Sequence, residues 1–317
     1  MLATWLVEFY LSKCNELDDL IASSSALYDV ENVKTERSIL EEDLRRFLES
    51  HKVGERFDLP FLFRSHADLV QDDLEPDTIY ELIQSHGRTD IYLFYATLIS
   101  HFERVVEHWI LEEDWVKAID AISRQSKLEL YYRFGPVLMR NAPRETVDSW
   151  IRQPALDPLH LVPALLQFQL APRDPLLPNQ ATRYLNHVIF EQLNTSSTLH
   201  NLVITLHASP AAGSPEDDGP LLRFLAIAPV DSLTGKPYYD LDYALRLCSE
   251  TGRIQPCVHI YSQMGLWESS VDLALEKGDL ELAKLNADKP EDDPQLRKKL
   301  WLKIAKFVVQ DKKDIKM

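Results

Sequence analysis

An internal repeat limits what this chain can fold into more than any other feature. Shifting the sequence by 152 positions lays HWILEEDWVKAIDAISRQSKLEL, from His108, on IYSQMGLWESSVDLALEKGDLEL, from Ile260, in register and without a gap. Trp115 falls on Trp267, Asp120 on Asp272, and Leu128-Glu129-Leu130 on Leu280-Glu281-Leu282. Trp109 meets Tyr261 and Ala118 meets Ser270, so a large aromatic, a second aromatic six later and a small residue three after that recur together. Five identities in 23 ungapped positions favour shared descent over coincidence. A Gly-Arg pair recurs as well, at Gly87-Arg88 and Gly252-Arg253, but 165 residues apart. A helical hairpin of roughly 30 to 40 residues cannot bury its apolar stripe alone and must stack on copies of itself. The small residue lets two backbones approach while Trp and Tyr fill the groove between layers. The expectation is an all-α chain, an α-solenoid of stacked helical hairpins in which these repeat positions support the fold.

Periodicity agrees. Between Val30 and His51, Val33, Ile39, Leu40, Leu44, Phe47 and Leu48 recur mostly at three- and four-residue spacing among Glu, Asp and Arg, as on an amphipathic helix. The same spacing predicts helices over 78–85, 91–100, 103–112, 115–124, 144–152, 180–194, 199–208, 240–248, 255–264, 267–276, 280–285 and 295–310, and no strand pair. Asp77 and Asp114 stand where N-caps belong, and Gly87, Gly252, Gly265 and Gly278 where left-handed turns end helices. Pro60, Pro76, Pro136, Pro143, Pro154 and Pro290 are expected between elements. The proline-dense stretch 153–179 leaves room for one short helix around 164–170. Residues 209–220, SPAAGSPEDDGP, read as a disordered surface loop inserted between neighbouring helices, so that 1–317 forms one solenoid segment.

Composition narrows the function. Lys and Arg number 34 against 50 Asp and Glu, a net charge of −16 that disfavours a nucleic-acid clamp, which needs a basic stripe to release counterions. Nine glycines are few for tight hairpins or phosphate-cradling loops. No stretch approaches the ~20 apolar residues of a membrane span, and MLATWLVEFY lacks the basic start of a secretory signal. Cys14, Cys248 and Cys257 are too few and scattered for a disulfide framework or a CxxC zinc site, which fits a reducing, cytoplasmic setting.

A search for chemistry returns little. Gly235-Lys236 runs into Pro237, so no P-loop forms, and HExxH, GxSxG and GxGxxG are missing. His101 and His108 lie seven apart with Glu103 and Glu107 nearby, and a helical enzyme would need a metal pocket built from His101, Glu107 and His108; packing beside Trp109 is the simpler role for His108. His200 and His207, and His259 beside Cys257, bring no further ligands. Asn194-Thr195-Ser196 reads as a helix-ending turn, and Glu41-Glu42-Asp43 and Glu291-Asp292-Asp293 as solvated helix starts. No catalytic, cofactor or metal residue is assigned. Arg297-Lys298-Lys299, Lys303, Lys306 and Lys312-Lys313 form the one basic stretch, the wet side of a helix whose dry side holds Leu300, Trp301, Ile304, Phe307 and Val308. The alternative is a module that lays this basic helix on a membrane surface. The chain stops at Met317 while still polar, as expected of a piece of a longer protein.

Long runs then carry a resemblance. GRTDIYLFYATLISHFERVVEHWILEEDWVKAIDAISRQSKLELYYRFGPVLMRNAP, PYYDLDYALRLC, QPCVHIYSQMGLWESSVDLALEKGDLELAKLNAD and LRKKLWLKIAKFVVQDKKDIK resemble the deep-orange family of class C vacuolar protein sorting subunits, subunit eighteen of the HOPS and CORVET tethering complexes. HIYSQMGLWESSVDLAL is also similar to a clathrin heavy-chain repeat unit. The resemblance implies a non-enzymatic scaffold in vesicular protein transport and in the fusion of endosomes with lysosomes or vacuoles. It implies partners among the other class C tethering subunits and, indirectly, Rab GTPases and SNAREs. The implied place is cytoplasmic, peripheral on late endosome and vacuole or lysosome membranes. The family's β-propeller and RING-type zinc module find no counterpart in these 317 residues, so zinc binding is not carried over and the chain is expected to be the central helical segment.

Overall fold

The computed structural model describes residues 2–23, 27–51, 75–169, 179–209 and 217–314. Among them the chain is helical, and its one β-type contact is an isolated antiparallel bridge between Val230 and Pro237. It divides into two compact units, Met1–Lys127 and Leu128–Met317.

In the first unit α1 (Leu2–Ser23) pairs with α2 (Leu27–Ser50), and α3 (Pro76–Ser85), α4 (Thr89–Leu98), α5 (Phe102–Leu111) and α6 (Trp115–Ser123) follow. α3 packs on α1, α4 on α3 and α2, α5 on α4, and α6 on α5. Val7 and Leu11 of α1, Leu44 and Leu48 of α2, Ile79 and Ile83 of α3 and Ile91 and Ala96 of α4 make one buried seam.

The second unit begins with α7 (Leu128–Asn141), α8 (Pro143–Ile151) and α9 (Val162–Gln169), the last entered through a 3-10 turn at Pro158–Leu161. α10 (Gln180–Asn186) runs into a π-type turn, His187–Glu191, followed by α11 (Ser197–Ala208), α12 (Gly219–Ile227) and α13 (Leu241–Glu250). α14 (Ile254–Gln263), α15 (Trp267–Glu276), α16 (Leu280–Asp288) and α17 (Pro294–Asp314) complete it. α10 packs on α8 and α11 on α10, while α14, α15 and α16 each pack on the helix before and α17 lies on α15 and α16. Contacts run between near neighbours, as in a solenoid, where each element buries its stripe on the next.

A fixed cadence produces this stacking. α3 to α7 start at Pro76, Thr89, Phe102, Trp115 and Leu128, and α13 to α16 at Leu241, Ile254, Trp267 and Leu280, in both runs thirteen residues apart. α3 to α6 and α13 to α16 are helices of nine or ten residues, and the turns that leave α3, α4, α5, α13, α14 and α15 share one design; α7 is longer, and the turn before it has no left-handed residue. After α3 the Gly87 N–H donates to the Gln84 carbonyl and the Arg88 N–H to that of Ile83; after α14 the Gly265 and Leu266 N–H groups reach Ser262 and Tyr261 in the same way. This double bond pattern satisfies carbonyls that a helix end leaves open and requires a left-handed residue. That residue is Gly87, Gly252, Gly265 or Gly278 at φ of 67° to 76°, but Ser100 and Glu113 at 62° and 57° in the first run. The 152-residue shift therefore superposes α4 to α7 on α13 to α16 start for start. The Gly-Arg pair, 165 apart, precedes α4 and α14 and is out of step by one thirteen-residue module.

Several sequence expectations need correction. α1 carries no helix prediction, yet its Ala3, Val7, Leu11, Cys14 and Leu17 are buried at helical spacing. Asp77 is not a cap but lies in the first turn of α3, behind Glu75 and Pro76. Asp114 is a cap, accepting the Lys117 N–H at 3.1 Å. Pro136 does not separate elements: α7 continues through it, its buried face holding Leu130, Tyr131, Phe134, Leu138 and Met139. Gly135 beside it is closely approached: a Cβ there would stand 3.3 Å from the Trp150 ring, which would have to shift by a few tenths of an ångström. The helix expected over 180–194 leaves α geometry after Asn186, and the short helix placed at 164–170 starts earlier, at Val162. Gly219 and Pro220 do not belong to a loop but open α12; residues 210–216 of that expectation, with Pro60 and prolines 172, 175 and 178, lie outside the described residues. Glu41-Glu42-Asp43 lie inside α2, not at its start.

Candidate functional site

The two copies of the repeat place nearly all of their matching residues at similar depth and differ in their polar partners. Trp109 is half-buried against the seam of the first unit, with Lys117 Nζ 4.4 Å above its ring and His108 edge-on at 5.0 Å. Trp115 opens α6, and Ala118 one turn later is fully buried. In the second unit Trp267 opens α15 and lies against the seam of Val258, Val271, Ala274, Leu275, Ala283, Ala287, Leu300 and Ile304. Ser270, at the place of Ala118, is equally buried, and its hydroxyl donates to the Val258 carbonyl of α14 at 3.1 Å. Tyr261 and Leu128 are half-buried and Leu130 is buried; Leu280 and Leu282 pack against the α15–α17 seam. Asp120 and Asp272 are exposed with different partners, Arg124 of the same helix at 2.7 Å and Lys303 of α17 at 2.6 Å. Thus Trp109, Trp115, Ala118 and Asp120 come together on α5 and α6, and Tyr261, Trp267, Ser270, Asp272, Leu280 and Leu282 on α14 to α16.

Among the described residues the histidines form no ligand set. His101 sits ahead of α5, its Nδ1 3.3 Å from the Tyr80 hydroxyl, and His108 leans on Trp109. Among the described residues no three His, Cys, Asp or Glu side chains converge on a metal position. Burial holds the His200 and His259 imidazoles below their ordinary range, and pushes that of His207 down to about 4 with help from the charge of Arg253. Cys14, Cys248 and Cys257 are buried thiols; a hydrogen bond to Cys257, with burial, raises Cys248. A shallow cleft of about 470 Å³ beside α3, α4 and α5 is lined by Arg88, Tyr92, Arg104, Glu107, His108 and Glu112. Its arginines are committed elsewhere: Arg104 donates to Asp77 at 3.0 Å and covers the Tyr80 ring at 4.1 Å, and Arg88 turns inward.

Sequence reasoning found the Gly-Arg pair without seeing its use. Arg88 is 7% exposed, donating through Nε to Asn15 Oδ1 at 2.9 Å, through Nη1 to Glu41 Oε1 at 3.1 Å and through Nη2 to Asp18. It ties α1 and α2 to the start of α4. Arg253 is 3% exposed and binds the Asp218 carboxylate at 2.9 Å and the Asp217 carbonyl at 3.2 Å, fixing the start of α12 to that of α14. The several fixed N–H donors of a guanidinium suit such anchoring to more than one partner. The partners stand 35 to 73 residues away, so only the pair itself is visible in the sequence.

The basic helix is likewise used internally. Lys299 and Lys303 of α17 reach back to Glu268 and Asp272 of α15 at 2.7 and 2.6 Å, and the Trp301 indole donates to Asp288 of α16 at 2.9 Å. No described helix is long and apolar enough to cross a membrane.

Near-neighbour packing and a thirteen-residue module define an α-solenoid. Residues 1–101 match the family model for the first half of the VPS18 alpha-solenoid domain and residues 102–309 the model for its second half. The chain belongs to the VPS18 family. Over its whole length it is 36% identical to the vacuolar protein sorting-associated protein 18 homolog of Danio rerio and 35% to vacuolar sorting protein 18 of Arabidopsis thaliana. It is 28% identical to the vacuolar membrane protein pep3 of Schizosaccharomyces pombe. It spans 29%, 29% and 32% of those three relatives.

Proposed function

We propose that this chain is the helical scaffold segment of a vacuolar protein sorting subunit, working within a membrane-tethering complex of the HOPS or CORVET kind. Membership of the VPS18 family across both solenoid halves carries the reading. The relatives are named for vacuolar sorting and, in the fission yeast protein, for the vacuolar membrane. The segment holds partner-binding surfaces in place and does no chemistry. It meets other class C subunits directly, Rab GTPases and SNAREs through them, and late endosome or vacuole membranes from the cytoplasmic side as a peripheral component. Lys299 and Lys303 already serve α15, which supports the scaffold over a membrane-surface module built on α17.

The test is a pull-down of the purified chain against each class C tethering subunit separately. Retention of at least one subunit, weakened by reversing exposed charges that leave the urea midpoint unchanged, is the expected result. Failure to retain any of them would sink the reading.

A further inference from the structure

Two of the three cysteines meet inside the second unit. Cys248 stands in the last turn of α13 and Cys257 in the first turn of α14, at 0% and 4% exposure, and their thiols are hydrogen-bonded to one another where the two helices pack. Cys257 Sγ also lies 4.0 Å from the Leu245 carbonyl oxygen, so its side chain is turned toward α13. Cys14 is buried on α1, in the other unit.

The thirteen-residue cadence shows that this pair is particular to its layer. One module further on, the same two places hold Tyr261 and Ser270, and one beyond that Ala274 and Ala283; 152 residues back they hold Ala96 and Val105. Ser270 turns its hydroxyl to the Val258 carbonyl as Cys257 turns its sulfur to that of Leu245, each twelve residues back. Alanine and serine therefore suffice for the seam, and a lone buried thiol is inert. What two touching thiols add is the capacity to join, since they need only a small approach to reach bonding distance.

The two sulfurs are not equivalent. Cys257 is the less buried and accepts the hydrogen bond from Cys248, which holds its thiol below the ordinary range, whereas donating that bond and deep burial raise Cys248. The charges that face the pair, Arg253 and Asp218, are bound to each other at 2.9 Å.

We infer that Cys248 and Cys257 are a reversible oxidation site, joined as a disulfide by hydrogen peroxide and reopened by a dithiol reductant, and that the bond fastens α13 to α14. The Cys257 thiolate attacks one peroxide oxygen; the O–O bond breaks, and the departing hydroxide takes up the thiol proton as water. Cys248 then gives up its proton and attacks the Cys257 sulfenic sulfur; the S–O bond breaks and a second water leaves. Two thiols lose two electrons and two protons, and one peroxide becomes two waters. A transient bond of this kind suits a reducing compartment, where cysteines rest as thiols.

The whole chain is treated with peroxide, freed of it, unfolded and labelled with iodoacetamide, with and without prior dithiothreitol. Of the three cysteines only Cys14 should take label without the reductant, and all three with it. Trypsin cuts at Arg253, so the bond should appear as peptides 247–253 and 254–277 linked together. Amide exchange in α13 and α14 should slow at least about tenfold in the oxidised chain. The variants C248A and C257S place at each position a residue that another module uses there. With peroxide and dimedone, C248A should carry the sulfenic adduct on Cys257, and C257S none on Cys248. Three labels after peroxide, a linked peptide containing Cys14, a bond that forms only in urea that unfolds the chain, or an adduct on Cys248 in C257S would overturn the proposal. The labelling and mapping use the parent chain, so they decide even if a variant fails to fold, and they stand apart from the subunit pull-down.

Discussion

At the scale of single residues, left-handed turns carry the architecture, and the two runs of modules fill them differently. Gly265 and Glu113 occupy the same place in the repeat at φ of 73° and 57°, and nothing lies within 4 Å of a Cβ built on Gly265. The difference between them is backbone strain, which costs an L-residue about 1 to 2 kcal/mol in this region. Glu113→Gly should therefore raise stability by about 1 kcal/mol and Gly265→Ala lower it by a similar amount, read as opposite shifts of the urea midpoint at constant slope. If both substitutions moved the midpoint the same way, the turns would not be equivalent. The glycines at 87, 252, 265 and 278 were legible in the sequence because only glycine advertises such a turn; Ser100 and Glu113 do the same work under ordinary names. Arg88 and Arg253 were half legible, since a recurring pair shows in the sequence but a burial that depends on Asp18, Glu41 and Asp218 does not.

At the scale of helices, stripes with clean three- and four-residue spacing, such as α2, α5 and α15, were readable, and helices that break a local rule were not. Pro136 inside α7 argues for a break, yet Phe134, Leu138 and Met139 are buried and that packing outweighs the local preference; Pro220 lies in the first turn of α12, where proline is tolerated, and Leu221, Phe224 and Leu225 behind it are buried. α11 and α14 add a property that spacing cannot show: three of their histidines, His200, His207 and His259, are held neutral by burial. His207, moved from 6.5 to about 4, sets the window. Below pH 6.5 the unfolded chain takes up a proton that the folded one refuses, so stability is intact above that value and falls as the pH drops towards 4. The loss from His207 is at most about 3 kcal/mol. Urea midpoints at pH 7.5 and 4.5 should differ in that direction, and His207→Leu should flatten the difference; a variant as acid-sensitive as the parent would assign the effect elsewhere.

At the scale of the molecule, stacking between near neighbours makes stability a local sum, so damage should stay where it is done. In the second unit Leu300 and Ile304 close the seam among α15, α16 and α17, whereas α7 packs on α8 and α9 elsewhere in the same unit. Leu300→Ala removes a fully buried side chain at a cost of about 2 to 5 kcal/mol. A cooperative globule would spread that loss over every amide, but a solenoid confines it. Hydrogen exchange should accordingly quicken across residues 267–310 and stay at the parent rate in Leu130–Met139 of α7. Uniform acceleration would mean that the repeats form a single folding unit. With confinement, each layer can be altered at its outer face without disturbing the next.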